Sequence, residues 1–281
     1  MNEIIERFKN LDLEKASEKD VLNIFDKLRF LPAPITDYHE GKIIHRARRI
    51  SKGQTVNLNS ELSYTPEQFN NSFQRASTPR QTMFYGAVIP EIRGEIEVPN
   101  ERIIGACEIS DFLRNIDSPD GEETIVFGKW RVKETISLLS IIDPATELNK
   151  IAFFKEMTEG YCKFLEHIND EKNNAILFQE FISSEFSKPK INSERDYLIS
   201  ALLTERVINQ CDGVIYPSVR ADYKGLCVSI KPETVDEKME LIEVLECSVI
   251  KKNGAVKITN LRYAEVNPEE SEFELKEINA I

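Results

Sequence analysis

The sequence predicts an α+β fold, with helices and strands concentrated in different parts of the chain. Apolar residues have helical spacing near the N-terminus and again in the middle, whereas the last third is rich in short β-type runs. The chain lacks the regular strand–helix alternation that is typical of a doubly wound parallel sheet. We therefore expect a mixed α and β domain with a β-rich C-terminal end.

An N-terminal helical arm is predicted over residues 1–35. Ser17, followed three residues later by Asp20, is typical of a capped helix start, and apolar residues then recur at helical spacing. Pro32 and Pro34 end this pattern, because proline cannot continue a helix. The arm is expected to pack on the main domain.

The main domain, residues 36–281, is predicted to contain strands, then helices, then strands again. Runs of apolar and β-branched residues predict the strands, and Asn253-Gly254 is a strong hairpin-turn signal between the last two. The predicted strands are residues 42–49, 81–89, 102–110, 124–132, 213–216, 226–230, 242–250 and 256–266, and the predicted helices are residues 144–167, 176–186 and 193–209.

Composition excludes several classes of function. The chain has 281 residues and a net charge of −12, with a pI near 5.0. An acidic chain does not attract nucleic acid or an anionic membrane surface through its overall field, so neither is expected as a partner. A chain of this length can bury a substantial core without disulfides or metals.

The predicted compartment is the cytoplasm. The five cysteines are widely spaced, odd in number and without a CxxC or Cys/His ligand pattern, which is typical of buried reduced thiols. The N-terminus lacks the apolar segment of a secretory signal, and no stretch is long and apolar enough to span a bilayer.

Several common catalytic motifs are absent from the sequence. There is no glycine-rich phosphate loop and no GxSxG elbow, and the three histidines have no metal-ligand spacing. We therefore predict neither a metal site nor a prosthetic group.

In four segments, polar residues lie within or next to predicted strands, where they could belong to a binding site. Arg46, in the strand KIIHRARR, could hold a phosphate through its guanidinium, or could belong to a basic surface edge. Arg75 precedes a turn and a strand that ends at Tyr85, which could stack on a planar ligand or lie in the core.

The third segment holds Glu108 in an apolar run, where a buried carboxylate needs a partner or a function unless it faces water at a strand edge. In the fourth, DGVIYPSVR, a short strand delivers Tyr216 and Ser218 to its end. Such strand ends are common ligand positions and are also common structural turns.

Taken in order, these four segments resemble the RES-domain family, which is named for an arginine, a glutamate and a serine. DGVIYPSVR is the most specific of them, and the resemblance is strongest over residues 40–250. It implies a fold related to ADP-ribosyltransferases and a cleft that binds NAD as a substrate. Known members degrade NAD by hydrolysis or phosphorolysis, some are described as ADP-ribosylating a protein, and many are toxins neutralised by an antitoxin.

The resemblance assigns catalytic roles to Arg46, Glu108 and Ser218. It assigns substrate binding to Arg75, Tyr85 and Tyr216, with Tyr85 against the nicotinamide and Ser218 hydrogen-bonded to the nicotinamide ribose or carboxamide. The stretch between Tyr85 and Glu108 is longer than in the family, so Glu91 is an alternative glutamate. Arg48 and Arg49 are alternatives to Arg46.

The resemblance therefore implies an NAD glycohydrolase or phosphorylase, with a cognate antitoxin as an expected partner and a homodimer as a compatible assembly. One alternative is an ADP-ribosyltransferase that modifies a macromolecule through the same pocket. Another is a non-catalytic domain that binds a nucleotide or a protein. Its interaction surfaces would be the helical arm and the acidic C-terminal segment, residues 265–281.

Overall fold

The computed structural model describes residues 1–28, 33–51, 53–88, 101–114, 119–141, 152–168, 171–188, 190–221 and 225–278. Across these residues the chain forms eight α-helices and one mixed sheet of ten strands. This confirms the predicted α+β class. No helix in these ranges is long and apolar enough to cross a membrane.

The N-terminal arm consists of two short helices, α1 (Asn2–Lys9) and α2 (Glu18–Phe25). Ser17 caps α2 in a reciprocal capping box with Asp20, as the sequence predicts. The arm packs on the body through the stacked rings of Phe8 and Phe181, whose centres lie 5.2 Å apart. Within the arm, the Phe8 ring lies 4.7 Å from that of Phe25 in a tilted arrangement. Residues 29–32, where the helical pattern was predicted to end, lie outside the described residues.

The sheet has the strand order β1-β5-β6-β7-β3-β2-β4-β8-β9-β10. Its pairs are antiparallel except for β5 and β6, which are parallel. The strands are β1 (Ile35–Tyr38), β2 (Ile43–Ile50), β3 (Phe84–Val88), β4 (Gly121–Val132), β5 (Ile136–Ser140), β6 (Gly213–Pro217), β7 (Leu226–Ile230), β8 (Met239–Lys252), β9 (Ala255–Glu265) and β10 (Lys276–Glu277).

One predicted strand is wrong: residues 102–110 belong to helix α3 (Glu101–Ile109). The apolar run is too short for its periodicity to separate a buried strand from a buried helix. Tertiary packing selects the helix, which buries Ile104 and Ala106 against the sheet. Gly105 permits this close approach, because a Cβ atom there would lie 3.3 Å from the Cβ of Ala47 on β2. Glu108 is therefore presented by a helix.

The helices of the middle segment pack on different parts of the sheet. They are α4 (Asp111–Arg114), α5 (Ala152–His167), α6 (Lys172–Phe186) and α7 (Leu198–Val207), and the short α8 (Pro232–Lys238) precedes β8. The prediction of one helix over residues 193–209 is partly right, since a 3-10 turn at Glu194–Tyr197 precedes α7. Residues 144–151 of the predicted helix over 144–167 lie outside the described residues.

The C-terminal hairpin forms as predicted. Asn253 and Gly254 have φ angles of 51° and 77°, the left-handed conformation that a tight two-residue hairpin turn requires. The acidic segment after β9 is anchored through its apolar residues, because Val266 and Phe273 are buried in the core. Its carboxylates lie on the surface.

The two faces of the sheet are covered by different core clusters. Successive side chains of a strand point to opposite faces, and β7 shows this directly. Val228 belongs to the core cluster that contains residues of β2, β4 and β8. Cys227, on the opposite face, belongs to the cluster that contains residues of the arm, α6 and α7. Cys227 is one of the residues that line the cavity described next.

Candidate functional site

A cavity of about 320 Å³ lies where α3 crosses the centre of the sheet. Strands β2, β3, β6 and β7 each contribute to it, as do α3 and the loop that carries Arg75. Two short turns, Glu194–Tyr197 and Val219–Ala221, complete the lining. Its lining residues include five of the six predicted site residues: Arg46, Arg75, Tyr85, Glu108 and Tyr216. The sixth, Ser218, is fully buried behind the wall of the cavity.

Arg46 reaches the cavity from β2. Its Nη1 donates to the main-chain oxygen of Tyr85 at 2.9 Å, and its guanidinium carbon lies 5.2 Å from the centre of the Phe84 ring. Its Nε is buried and has no hydrogen-bond partner among the described residues. Burial lowers the pKa of Arg46 to about 10. A donor left without a partner in this way is suited to an anion.

Arg75 enters the cavity from the loop before β3. Its Nη1 donates to the main-chain oxygen of Phe186 at the end of α6, and its guanidinium carbon lies 5.3 Å from the centre of the Tyr197 ring. The residue is 7% exposed. Within the described parts of the chain, neither Arg75 nor Arg46 forms an ion pair with a carboxylate.

Tyr85 fixes the loop that carries Arg75. Its hydroxyl accepts from the Ala76 main-chain N–H at 3.1 Å and lies 2.8 Å from the Ser77 hydroxyl oxygen. Burial raises the pKa of Tyr85 to about 12, so the phenol is neutral at ordinary pH. The ring lines the cavity while its hydroxyl is committed to the loop.

Glu108 and Ser218 are brought together although 110 residues separate them in the sequence. The Ser218 hydroxyl donates to Oε1 of Glu108 at 2.5 Å and accepts from the Ala221 main-chain N–H at 3.1 Å. Ser218 does not line the cavity, and its hydroxyl donates to Glu108. The geometry therefore places Ser218 as a support for the carboxylate.

Arg220 completes the surroundings of Glu108. Its Nε lies 3.8 Å from Oε2 of the carboxylate, and its Nη1 donates to the Glu108 main-chain oxygen at 2.5 Å. Its Nη2 donates to the Tyr197 hydroxyl at 3.3 Å. The two oxygens of Glu108 thus have different partners, which fixes the plane of the carboxylate.

Tyr216 and Cys227 form apolar parts of the wall. The Tyr216 hydroxyl lies 3.3 Å from that of Ser229, and burial raises the pKa of Tyr216 well above its usual value. Burial also raises the pKa of the Cys227 thiol well above its usual value. Cys227 is therefore a neutral thiol, which is unsuited to act as a nucleophile.

Of the three candidate arginines on β2, Arg46 lines the cavity. Arg48 donates to the main-chain oxygen of Glu61 at 2.7 Å, and Arg49 pairs with Glu123 at 3.1 Å. Neither arginine lines the cavity. Glu91, the alternative glutamate, lies outside the described residues.

Sequence reasoning missed four polar residues of the cavity, two of which are Arg220 and Tyr197. Arg220 ends the DGVIYPSVR segment, so its position beside Ser218 was an available signal. Tyr197 has no such signal, because only the fold brings the turn before α7 to the cavity. His45 and Gln74 also line the cavity.

The arrangement joins a fixed carboxylate to three guanidinium groups and several aromatic rings. It can bind an anionic ligand and stabilise positive charge that develops beside Glu108. In the described part of the chain, no group of three or more His, Cys, Asp or Glu side chains is arranged to hold a metal ion. No protein-family model matches the chain, and no curated protein is significantly similar to it.

Proposed function

We propose that this chain is an enzyme that consumes NAD by cleaving the bond between nicotinamide and ribose. The observation that carries the proposal is the shared cavity of Glu108, Arg46 and Arg75. Glu108 is oriented there by Ser218 and Arg220, and the two other arginines have no carboxylate partner among the described residues. This geometry favours an anionic ligand, and the resemblance to the RES-domain family is what favours NAD.

The arginines supply a site for the diphosphate. Guanidinium groups bind phosphate oxygens through parallel N–H donors, and Arg46 has a buried Nε available for such a bond. The whole chain carries a charge of −12 and would repel an anionic dinucleotide, so a local cluster of cations is required to attract it.

Glu108 supplies electrostatic stabilisation of the reaction. When the C1′–N bond breaks, its electron pair leaves with nicotinamide, and the ribose carbon becomes oxocarbenium-like. A carboxylate held beside that carbon stabilises the positive charge. The oxygen of water or phosphate then bonds to C1′, and in the case of water a proton is released to solvent.

Ser218 and Arg220 hold Glu108 in a fixed orientation before substrate arrives. Preorganisation of this kind avoids rearrangement during the reaction and is a large part of electrostatic catalysis. The rings of Tyr85, Tyr197 and Tyr216 give planar surfaces for the bases or sugars.

The size of the cavity favours one half of the dinucleotide. Ligand cavities range from roughly 300 to 1,000 Å³, and this cavity, at about 320 Å³, lies at the lower end. We place the nicotinamide and its ribose inside, beside Glu108, with the diphosphate on the arginines and the adenosine towards the mouth.

The test is nicotinamide release from NAD by the purified protein, with and without inorganic phosphate, beside Glu108→Gln. The variant keeps the shape of the side chain and removes its charge. Glu246→Gln is the matched control, because Glu246 is likewise paired with an arginine, Arg262, but lies outside the cavity. We expect release by the wild type and by the control, and its loss in Glu108→Gln.

Dependence on phosphate would identify phosphate as the acceptor, and release without it would identify water. NAD binding in calorimetry without release would instead favour a binding protein, or transfer to a macromolecule that mass spectrometry of candidate targets would detect. A protein that neither binds nor cleaves NAD would overturn the proposal.

A further inference from the structure

The turn Glu194–Tyr197 has the cavity on one side and the N-terminal arm on the other. On the cavity side, the Tyr197 ring lies against the Arg75 guanidinium, and its hydroxyl accepts from Arg220. Tyr197 therefore contacts both an arginine proposed for the diphosphate and the arginine that orients Glu108. A shift of this turn would move both contacts together.

On the other side, Arg195 binds the loop between α1 and α2. Its Nε donates to the main-chain oxygen of Leu13 at 3.1 Å, and its Nη2 donates to that of Ala16. Ser193, which caps the turn, donates to Oε1 of Glu14 at 2.5 Å. The arm is thus bound to the turn by side-chain hydrogen bonds that include two to its main chain.

The same turn also holds the loop that carries Arg75. The Phe73 main-chain N–H donates to Oε2 of Glu194 at 3.2 Å, and the Arg195 guanidinium carbon lies 5.7 Å from the Phe73 ring. Phe73 is two residues from Arg75. One turn therefore binds the arm, the Arg75 loop and the cavity wall.

We infer that Arg195 is a positioning residue through which the N-terminal arm sets the wall of the cavity. The inference rests on the proposed function for its activity readout. Arg195 does not line the cavity, so it acts through Tyr197 and Arg75. Displacements of about 1 Å in such a support can lower activity by up to about 100-fold.

Arg195→Met tests this role, because methionine keeps apolar contact with Phe73 and removes the hydrogen bonds to the arm. We expect the KM for NAD to rise about 10-fold, since Arg75 binds the diphosphate, and kcat to fall as well, since Tyr197 also contacts the arginine that orients Glu108. Arg195→Lys keeps a cation that can reach one of the carbonyl oxygens, and it should recover part of the loss.

Arg206→Met is the matched control. Arg206 also links the arm to the body, through a 2.6 Å ion pair with Asp26, but it contacts neither the turn nor the cavity. We expect its KM to equal that of the wild type. Equal rises in KM for Arg206→Met and Arg195→Met would mean that general docking of the arm, and not this turn, controls the site.

Amide hydrogen exchange tests the inference without NAD. The Phe73 and Ala76 N–H groups have defined acceptors in Glu194 and Tyr85, so a displaced turn should speed their exchange. We expect faster exchange at both amides in Arg195→Met and unchanged exchange in Arg206→Met. Unchanged exchange in both variants would overturn the inference, whereas absence of NAD cleavage by the wild type would overturn only the proposed function.

Discussion

The hydroxyl of Ser218 donates a 2.5 Å hydrogen bond to Oε1 of Glu108. Ser218 is fully buried, and its oxygen already accepts from the Ala221 main-chain N–H, so its proton is directed at the carboxylate. The family resemblance places Ser218 in contact with the substrate. In the structure, Ser218 contacts Glu108 and does not line the cavity. This relationship gives the first prediction.

Ser218→Ala should lower NAD cleavage by about 10- to 100-fold, because Glu108 loses one of the groups that orient it. It should also destabilise the fold by about 1–3 kcal/mol, since the Ala221 N–H loses its acceptor in a buried place. Nicotinamide release and urea denaturation measure the two effects.

Ser140→Ala is the control for Ser218→Ala. Ser140 is also a buried serine, is hydrogen-bonded to Thr36 and lies outside the cavity. We expect it to lose stability and to keep its activity. If Ser140→Ala lost as much activity as Ser218→Ala, the loss would reflect stability and not the orientation of Glu108.

Arg46→Met should stabilise the protein while it abolishes NAD binding. Burial lowers the pKa of Arg46 to about 10, so the folded state resists its charge at neutral pH. Removing that cost should outweigh the lost bond to Tyr85 and raise the free energy of unfolding by about 1–2 kcal/mol. Thermal denaturation with and without NAD measures both effects.

The contrary outcome for Arg46→Met is a variant that is less stable than the wild type but is still stabilised by NAD. That result would make Arg46 a structural residue. A stable variant without binding would show a charge kept for function at a cost in stability.

Gly225→Ala should displace the helix that carries Glu108. A Cβ atom at residue 225 would lie 2.1 Å from Cδ1 of Ile104, a fully buried residue of α3. The clash should lower NAD cleavage by about 10-fold or more. Nicotinamide release by the single and double variants measures this effect.

Ile104→Ala removes the side-chain atoms that the new methyl group would meet, so the double variant should be more active than Gly225→Ala alone. Ile104→Ala by itself is the control, and it should lose about 2–5 kcal/mol of stability through the cavity it leaves. A double variant no more active than Gly225→Ala would exclude this clash as the cause.

Tyr85 should make the stability of the protein depend on alkaline pH. Burial raises its pKa to about 12 from an ordinary value of 10.0. The unfolded chain therefore loses this proton first, and the contribution of Tyr85 to stability is complete below pH 10 and is lost as pH rises to about 12. The loss is on the order of 2 kcal/mol.

Urea denaturation of the wild type and Tyr85→Phe between pH 7 and pH 11 tests this expectation. At pH 7 the variant should be less stable by about 1 kcal/mol, because the Ala76 N–H and the Ser77 hydroxyl lose a partner. The difference should shrink as pH rises. A difference that is constant across this range would contradict the assignment of the raised pKa to Tyr85.

Local patterns in the sequence were sufficient to predict much of the fold. Alternating or continuous apolar runs identified β2, β3, β4, β6 and β7, and Asn253-Gly254 identified the hairpin because a tight turn needs left-handed backbone. The α3 segment was misassigned, because nine residues of mixed apolar character satisfy a strand as well as a helix. Only packing against Ala47 selects between them.

The residue types of the candidate site were also evident from the sequence, since an arginine in a strand and a glutamate in an apolar run each need a partner. The sequence, through its resemblance to the RES-domain family, determined which residues were candidates: Arg46, Arg75, Tyr85, Glu108, Tyr216 and Ser218. Their pairing depends on contacts between segments far apart in the chain, which local patterns do not encode. Only the tertiary structure decided that Ser218 lies behind Glu108, because that placement follows from how α3 packs on β2, β3 and the turn Val219–Ala221.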